Sequence, residues 1–369
     1  MNNLVNKHEY FYSVATENTF DFLSDEYQKL FEQSSATVFQ APFWLTTFYK
    51  KLTSESGAQP HIITLRNSEG VLCFVLPCVK QQFNFFKIVQ PADLGTADYN
   101  SFVTNEETFL RLNGDEELRA KLLEVLKPYD IFFFRKQRED SPQIQDVISG
   151  GQISKSEFNS HEVKIGTDFD AWCKKSLSKN FQKQSRRKAN NINRDLGGID
   201  VSILKDRTEI LNALTFIRKQ RGAKFQDDIL HQDNYFEFYA EVAENYSSTG
   251  DVIVSAGIIR GQIVVAEMGV VLNGTYSCLL AAFLPNTYDK YSIGVVGIFE
   301  IMRILVSNGK DTYDFALGDE AYKERFGTTE IRIDNVVYAG TLVGVLLSYI
   351  YAYAKPLKNY LKKFIPSLN

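Results

Sequence analysis

The 369-residue chain has little sulfur, little histidine and no long apolar run. Its four cysteines, Cys73, Cys78, Cys173 and Cys278, show no zinc-ligand spacing, and at this size they do not read as a disulfide framework. Cys73 and Cys78 fall in one strand-like stretch, an odd number of positions apart, so their side chains are expected on opposite faces. The four histidines, His8, His61, His161 and His231, are scattered, form no HExxH-type pattern and read as surface or packing residues. No metal site and no Cys–His or Ser–His nucleophile is therefore expected. The first residues, MNNLVNKHEYFYSV, lack the cationic start and apolar core of a secretory signal. The longest apolar stretch, TLVGVLLSYIYAYA from Thr341 to Ala354, falls short of the ~20 residues of a membrane-spanning helix. A net charge of −4 gives no reason to expect a DNA-binding protein, so any basic partner surface must be local. The expected location is cytoplasmic. Leu342 to Phe364 combines apolar and aromatic residues with Lys355, Lys358, Lys362 and Lys363, which suits either a peripheral contact at the inner membrane face or a packed helix with a basic tail.

Apolar residues make up 44% of the chain, with 28 Phe and 19 Tyr, enough for large aromatic cores, and the length favours two domains. In the first part, helices are predicted over 25–33, 41–52 and 106–126, the last with an interruption at Asn113-Gly114. Strands are predicted over 61–66, 71–80, 85–89 and 129–135. In the second part the order is a strand (199–204), two helices (207–221, 231–246) and three strands (252–259, 262–272, 275–283). A helix (295–307) and strands over 313–317 and 332–339 follow. Arg260-Gly261 and Asn273-Gly274 mark the hairpin turns, Asn-Gly being a strong signal. The comparable order in both parts suggests an internal duplication, with domains over 1–160 and 199–340, a linking segment over 161–198 and a tail over 341–369. Its later part, KKSLSKNFQKQSRRKANNINRDLGG from Lys174 to Gly198, carries Lys174, Lys175, Lys179, Lys183, Arg186, Arg187, Lys188 and Arg194 against Asp195 alone. It reads either as a solvated helix or as one facing an anion.

The densest information lies in Tyr291 to Phe326. Its start, YSIGVVG, enters an amphipathic helix through small residues; Asn308 and Gly309 stop that helix, and a buried strand and the polar segment DEAYKERF follow. The unpaired N–H groups and positive dipole end at such a helix start suit an anion, most often a phosphate.

The second-half order resembles the GNAT superfamily of acyl-CoA-dependent N-acyltransferases. More narrowly, FQAPFW (39–44), LGTADYNSF (94–102), LSKNFQKQSRRK, YSIG (291–294) and DFALGDEAYKERF (314–326) resemble the CelD-like acetyltransferases of cellulose and exopolysaccharide synthesis. That group pairs two GNAT domains, as do the Fem-type aminoacyl transferases; Ile293 stands where the close family usually has proline. The resemblance implies an α/β (α+β) fold of two tandem GNAT-like domains, each a mixed, mostly antiparallel sheet flanked by helices. It also implies acetyl-CoA or another acyl-CoA as co-substrate. Backbone amides of Tyr291, Ser292, Ile293, Gly294, Val295 and Val296 would then hold its pyrophosphate, with Ser292 also capping the helix. Acyl transfer needs a base, a held oxyanion and a protonated leaving thiolate. Glu267, in an otherwise apolar strand, is a candidate base or an outward-facing polar residue. Asp319 and Glu320 could orient or deprotonate the acceptor and Tyr322 could protonate sulfur, while Lys323 could bind an acidic acceptor or phosphate; the quartet also reads as a surface salt-bridge cluster. Asp314 is read as ordering the strand end. Asp93, Asp98 and Tyr99, with Lys183 and Arg187, are candidate acceptor contacts. The acceptor implied is an amine, or a hydroxyl, on a sugar or cell-envelope precursor. A Fem-type enzyme using aminoacyl-tRNA, and a non-catalytic scaffold for polysaccharide export, are the alternatives.

Overall fold

The computed structural model describes residues 12–83, 85–285 and 288–353. The chain divides into two compact units, one of Met1–Lys155 with Asp334–Asn369 and one of Ser156–Ile333. Each contains mixed sheet flanked by helices, the class expected from the sequence.

The first unit has two sheets. The smaller is antiparallel, in the order Ser13–Glu17, Ile62–Arg66, Leu72–Leu76, Val103–Thr104. The larger runs Gln59–Pro60, Cys78–Phe83, Phe86–Pro91, Ile131–Arg138, Ile333–Ala339, Gln152–Lys155. The single strand expected over 71–80 is thus two. Pro77 lies between them with no N–H to continue a ladder, and its carbonyl accepts from Ala92 N–H at 3.0 Å. Cys73 and Cys78 therefore belong to different sheets rather than to two faces of one strand, and neither is in a disulfide. The helix Pro42–Lys51 opens on proline and buries Phe43, Trp44, Leu45, Thr47 and Phe48. The expected 106–126 helix divides into Glu106–Gly114 and Glu116–Val125, because the Asp115 carboxylate caps the second piece by accepting from Leu118 N–H at 3.0 Å. Phe74, Phe132, Phe134 and Tyr338 lie at the centre of the core.

The second unit is one seven-stranded sheet. Its order is Asp200–Ile203, Val252–Ile259, Gln262–Leu272, Thr275–Phe283, Thr312–Leu317, Ser160–Lys164, Thr329–Ile331. Arg260 and Gly261 (φ 50° and 78°), and Asn273 and Gly274 (φ 49° and 82°), turn the two hairpins through the left-handed region, as their sequences predict. The helices Phe169–Ser176, Lys179–Leu196 and Ile293–Ser307 share a core with the sheet through Trp172, Phe181, Ile301, Met302, Val265, Tyr313 and Phe326. The helix Arg207–Lys224 packs against the Gln262–Leu272 and Thr275–Phe283 strands.

The units depart from the simple halves read from the sequence at two strands. Ile333–Ala339 completes the first unit's larger sheet, with Asp334 opposite Lys155 and Val337 opposite Gln152. Ser160–Lys164 enters the second unit's sheet between Thr312–Leu317 and Thr329–Ile331. A strand pairs with whichever edge offers free N–H and C=O groups, and chain order does not choose that edge.

Candidate active site

Two strands of the second unit form a fork. Thr275–Phe283 and Thr312–Leu317 run parallel and pair through Thr275 with Thr312, Tyr276 with Tyr313 and Ser277 with Asp314. No further pairs between them occur among the described residues. On one arm, the ladder to Gln262–Leu272 shifts register: Met268 faces Leu280 while Gly269 faces Cys278. The extra residue bends this arm. On the other, Ala316 has φ 57° and Gly318 φ 120°. A non-glycine residue in that region needs local support, and the buried Asp314 supplies it, accepting from Ala316 N–H at 2.8 Å and from Ser277 Oγ at 3.1 Å. Asp314 thus orders the strand end, as the sequence suggested, and pins the fork at its apex.

The helix Ile293–Ser307 begins beside the arm Thr275–Phe283. A Cβ at Gly294 would lie 3.0 Å from the Phe283 ring, and one at Gly297 would lie 2.8 Å from Val265 Cγ1. The first intrahelical bond runs from Val296 N–H to Ser292 O at 3.1 Å, so the helix itself offers no acceptor to the N–H groups of Ile293, Gly294 and Val295. Ser292 does not cap these groups with its side chain. Its φ of 53° is left-handed, whereas a side-chain N-cap uses extended backbone. Tyr291, Ile293 and Val296 are buried in a cluster with Ile192, Ile259 and Val264, leaving only their main chains for a ligand. Ser292, Gly294 and Val295 are half-buried, and Ala281 and Phe283 are exposed. Orphan amides, a glycine where a side chain would meet the Phe283 ring, and an unpaired strand edge fit an extended ligand with a diphosphate at one end and amide groups along its length.

The basic helix Lys179–Leu196 borders this mouth by a different residue from those expected. Lys188 Nζ donates to Lys290 O, and Tyr291 Oη donates to Asp195 Oδ2 at 3.2 Å. Lys183 and Arg187 are exposed on the face turned away from the buried Phe181 and Ile192. They do not join the mouth.

Glu267 is 1% exposed, one strand inward from the fork and opposite exposed Ala281. Its Oε2 accepts from Tyr313 Oη at 2.8 Å. Burial raises its pKa to about 7, against the opposing pull of hydrogen bonds from Tyr313 and Cys278. The outward-facing alternative is therefore excluded by position. Burial, with Glu267 nearby, also raises the Cys278 thiol, which makes it a poor nucleophile at neutral pH. Tyr322 is 38% exposed; burial, with Cys278, Glu320 and Glu267 nearby, pushes its phenol up, so it holds its proton at neutral pH.

The polar segment after the fork is organised by Lys323. Its ammonium is 2% exposed and donates to Leu317 O and Gly318 O at 2.9 Å and Ala316 O at 3.2 Å, with Glu320 Oε2 at 3.0 Å. An ammonium has three donors, and these contacts occupy them. Lys323 thus holds the turn together instead of presenting a charge to an acceptor. Asp319 is nearly half exposed; its Oδ1 lies 3.1 Å from His161 Nε2 and accepts from Asn159 N–H at 3.2 Å. His161 is 3% exposed, and its Nδ1 lies 3.3 Å from Thr328 Oγ1. His161 is buried, as a packing role requires, but it also orients Asp319. Only a side chain pointing inward from Ser160–Lys164 could have shown that, and the sequence reading placed no strand there.

Asp93, Asp98 and Tyr99 belong to the first unit. There Phe86–Pro91 and Ile131–Arg138 also run parallel, pairing at Ile88 with Ile131 and Val89 with Phe132. Arg135 Nη2 donates to Gln90 Oε1 at 3.2 Å just beyond that point. Asp93 is buried beside Arg135 and Lys136 at 3.5 and 3.4 Å, and it accepts from Gly95 N–H and Asn100 Nδ2. Burial opposes its charge, but Lys136 and Arg135, together with the hydrogen bonds from Gly95 and Asn100, hold the carboxyl below its usual range. Tyr99 is 3% exposed, packed near Phe39 with Arg138 over its ring at 4.9 Å. Asp98 is half-buried. This loop fills the first unit's fork with its own polar network, and Asp93 and Tyr99 are not displayed for an acceptor.

Residues 179–324 match the family described as acetyltransferase (GNAT) domain. No curated protein sequence matches the chain. Among solved structures, FemX is 12% identical and has a TM-score of 0.60, over 91% of this chain and 99% of its own. L-PGS from Bacillus licheniformis is 10% identical with a TM-score of 0.54, over 90% and 97%. The C-terminal domain of a putative lysylphosphatidylglycerol synthetase from Agrobacterium fabrum is 11% identical with a TM-score of 0.53, over 90% and 95%. At these identities the likeness is one of fold. The chain thus carries an acetyltransferase domain of the GNAT type and is an enzyme of that acyltransferase class.

Proposed function

We propose that the chain transfers a short acyl group, acetyl in the first instance, from coenzyme A to an amine of a sugar or cell-envelope precursor, as in the CelD-like group its motifs resemble. The supporting observation is the fork of two diverging strands beside the amides of Ile293, Gly294 and Val295, for which neither the helix nor its Ser292 cap supplies an acceptor. The diphosphate of the donor would rest on these amides, and its extended arm would follow the unpaired edge of Thr275–Phe283. The bound donor supplies the activated thioester. Glu267, raised to about 7, is matched to accept the amine's proton near neutral pH, directly or through a water. Tyr322, protonated and partly exposed, would supply the proton for the leaving sulfur. Asp319, held by His161, would orient the acceptor, and Glu320, tied to Lys323, would keep the turn in place. A covalent enzyme intermediate is not needed.

Thermal melting and calorimetry with acetyl-CoA, longer acyl-CoAs and free CoA test this reading. A ligand at 100 times its dissociation constant stabilises by about 2.7 kcal/mol. Stabilisation by acyl-CoA supports the proposal, and no response to any thioester removes it.

One observation favours a second reading, an aminoacyl-tRNA-dependent transferase of the Fem type. Lys179, Lys183, Arg186 and Arg187 stand on the exposed side of one helix, with no acidic side-chain partner among the described residues. Salt-sensitive tRNA binding, without thiol release from acetyl-CoA, would favour it over the first.

A further inference from the structure

The helix Leu342–Tyr353 is set on the first unit with its polarity reversed. Its inner side carries the small residues Gly344 and Ser348 beside Leu347. A Cβ on Gly344 would lie 1.8 Å from Asp130 O, Thr341 Oγ1 donates to Asp130 Oδ1 at 2.7 Å, and Ser348 is buried. Its outer side is large and apolar: Leu342 is 89% exposed, Val345 55%, Leu346 62% and Tyr349 64%. These positions follow the three- and four-residue spacing of a single helical stripe. An exposed contiguous stripe of this kind marks a contact surface.

Two neighbouring features indicate what meets it. Leu347 packs on the cluster of Ile88, Ile131, Phe133 and Val337, and so does Phe83 of the hairpin formed by Cys78–Phe83 and Phe86–Pro91. The turn of that hairpin carries Phe85, 90% exposed, with Lys87 exposed close behind it. Charge supplies the second feature. From Asn335 to the end of the chain there is no Asp or Glu, while Lys355, Lys358, Lys362 and Lys363 follow the helix. A helix of twelve residues is roughly 18 Å long, against a hydrocarbon layer of about 30 Å. Among the described residues no helix is long and apolar enough to cross a membrane.

We propose that Leu342–Tyr353 and the Phe85 turn form a docking surface for an anionic phospholipid bilayer, with the helix lying in the interface. Apolar burial would provide the contact, and the basic segment would select negatively charged lipid. This inference does not depend on the acyl-transfer reading.

The test is co-flotation of the full chain with vesicles of phosphatidylglycerol and phosphatidylcholine, compared with phosphatidylcholine alone. Partition onto the anionic vesicles that weakens with added salt is expected. Leu346→Glu should reduce it at least about tenfold by placing a carboxylate in the interface, and Phe85→Ser should reduce it less. Both positions are exposed, so an unchanged melting temperature and an unchanged acetyl-CoA shift will show that the fold and the acyl site persist. Absence of flotation, equal binding to neutral vesicles, or binding indifferent to Leu346→Glu would overturn the proposal. So would a dimer in sedimentation that Leu346→Glu dissolves, since the stripe would then belong to a second copy of the chain.

Discussion

Replacing Glu267 by Gln should make the protein more stable at alkaline pH while abolishing most of its activity. The folded-state pKa of about 7 stands above the ordinary 4.5 of a free glutamate. At about 1.4 kcal/mol per unit, the difference corresponds to about 3 kcal/mol. The sign follows from proton counts. Below pH ~4.5 both folded and unfolded chains hold the proton, so the carboxyl carries no penalty. Between there and pH ~7 the unfolded chain releases it first, and folding stability falls as pH rises through the folded pKa. Gln is close in shape, stays neutral and still accepts from Tyr313 Oη. The variant should therefore match the wild type near pH 4.5 and melt about 5–10 °C higher at pH 8, for a cooperative unit of this size. Its kcat/KM should fall by about 10²–10⁴, the usual contribution of a general base, and the wild-type pH–rate profile should bend near pH 7. Melting curves of both proteins at the two pH values, with steady-state rates, give the comparison. An equal melting difference at both pH values would mean that water reaches Glu267 and it titrates normally; the reasoning from burial would then be wrong.

Gly297→Ala should cost about 1–3 kcal/mol in chemical unfolding, since its methyl would meet Val265 Cγ1 at 2.8 Å in a filled core. Lys323→Met should cost about 3 kcal/mol by leaving the carbonyls of Ala316, Leu317 and Gly318 without their donor, and should lower kcat more than acetyl-CoA affinity. His161→Ala should cost about 1–3 kcal/mol, mostly by emptying a buried site that holds two polar contacts, and calorimetry should still detect acetyl-CoA.

The second unit was largely legible because its local signals are strong. The strands Val252–Ile259, Gln262–Leu272 and Thr275–Phe283 fall on their predicted bounds, since alternating apolar runs end at Arg260-Gly261 and Asn273-Gly274, where left-handed backbone is required. The helix begins at Ile293, two residues before the expected start, because the left-handed Ser292 already delivers the chain into helical geometry. What the sequence could not give was long-range pairing. Ser160–Lys164 is short and polar in composition, and its place between two distant strands exists only in the folded sheet. His161 was therefore missed as the partner of Asp319. The Ile333–Ala339 strand was recognised as a strand but assigned to the wrong sheet for the same reason. Residue type also misled at Lys323 and Asp93. Both look like ligand contacts when only charge is considered, yet both spend their hydrogen-bonding capacity inside the protein. The lysines after Ala354 lie outside the described residues.

Calorimetric titration of acetyl-CoA into the wild type and Gly294→Glu tests the central claim most directly. One saturable site per chain is expected, at the second unit's fork, because the first unit's fork is filled by its own Asp93 network. Glu at position 294 would put a carboxylate beside the amides meant for the diphosphate, and it should abolish the heat while circular dichroism still reports a folded chain. Binding that survives Gly294→Glu, or no binding of any thioester to the wild type, would contradict the account.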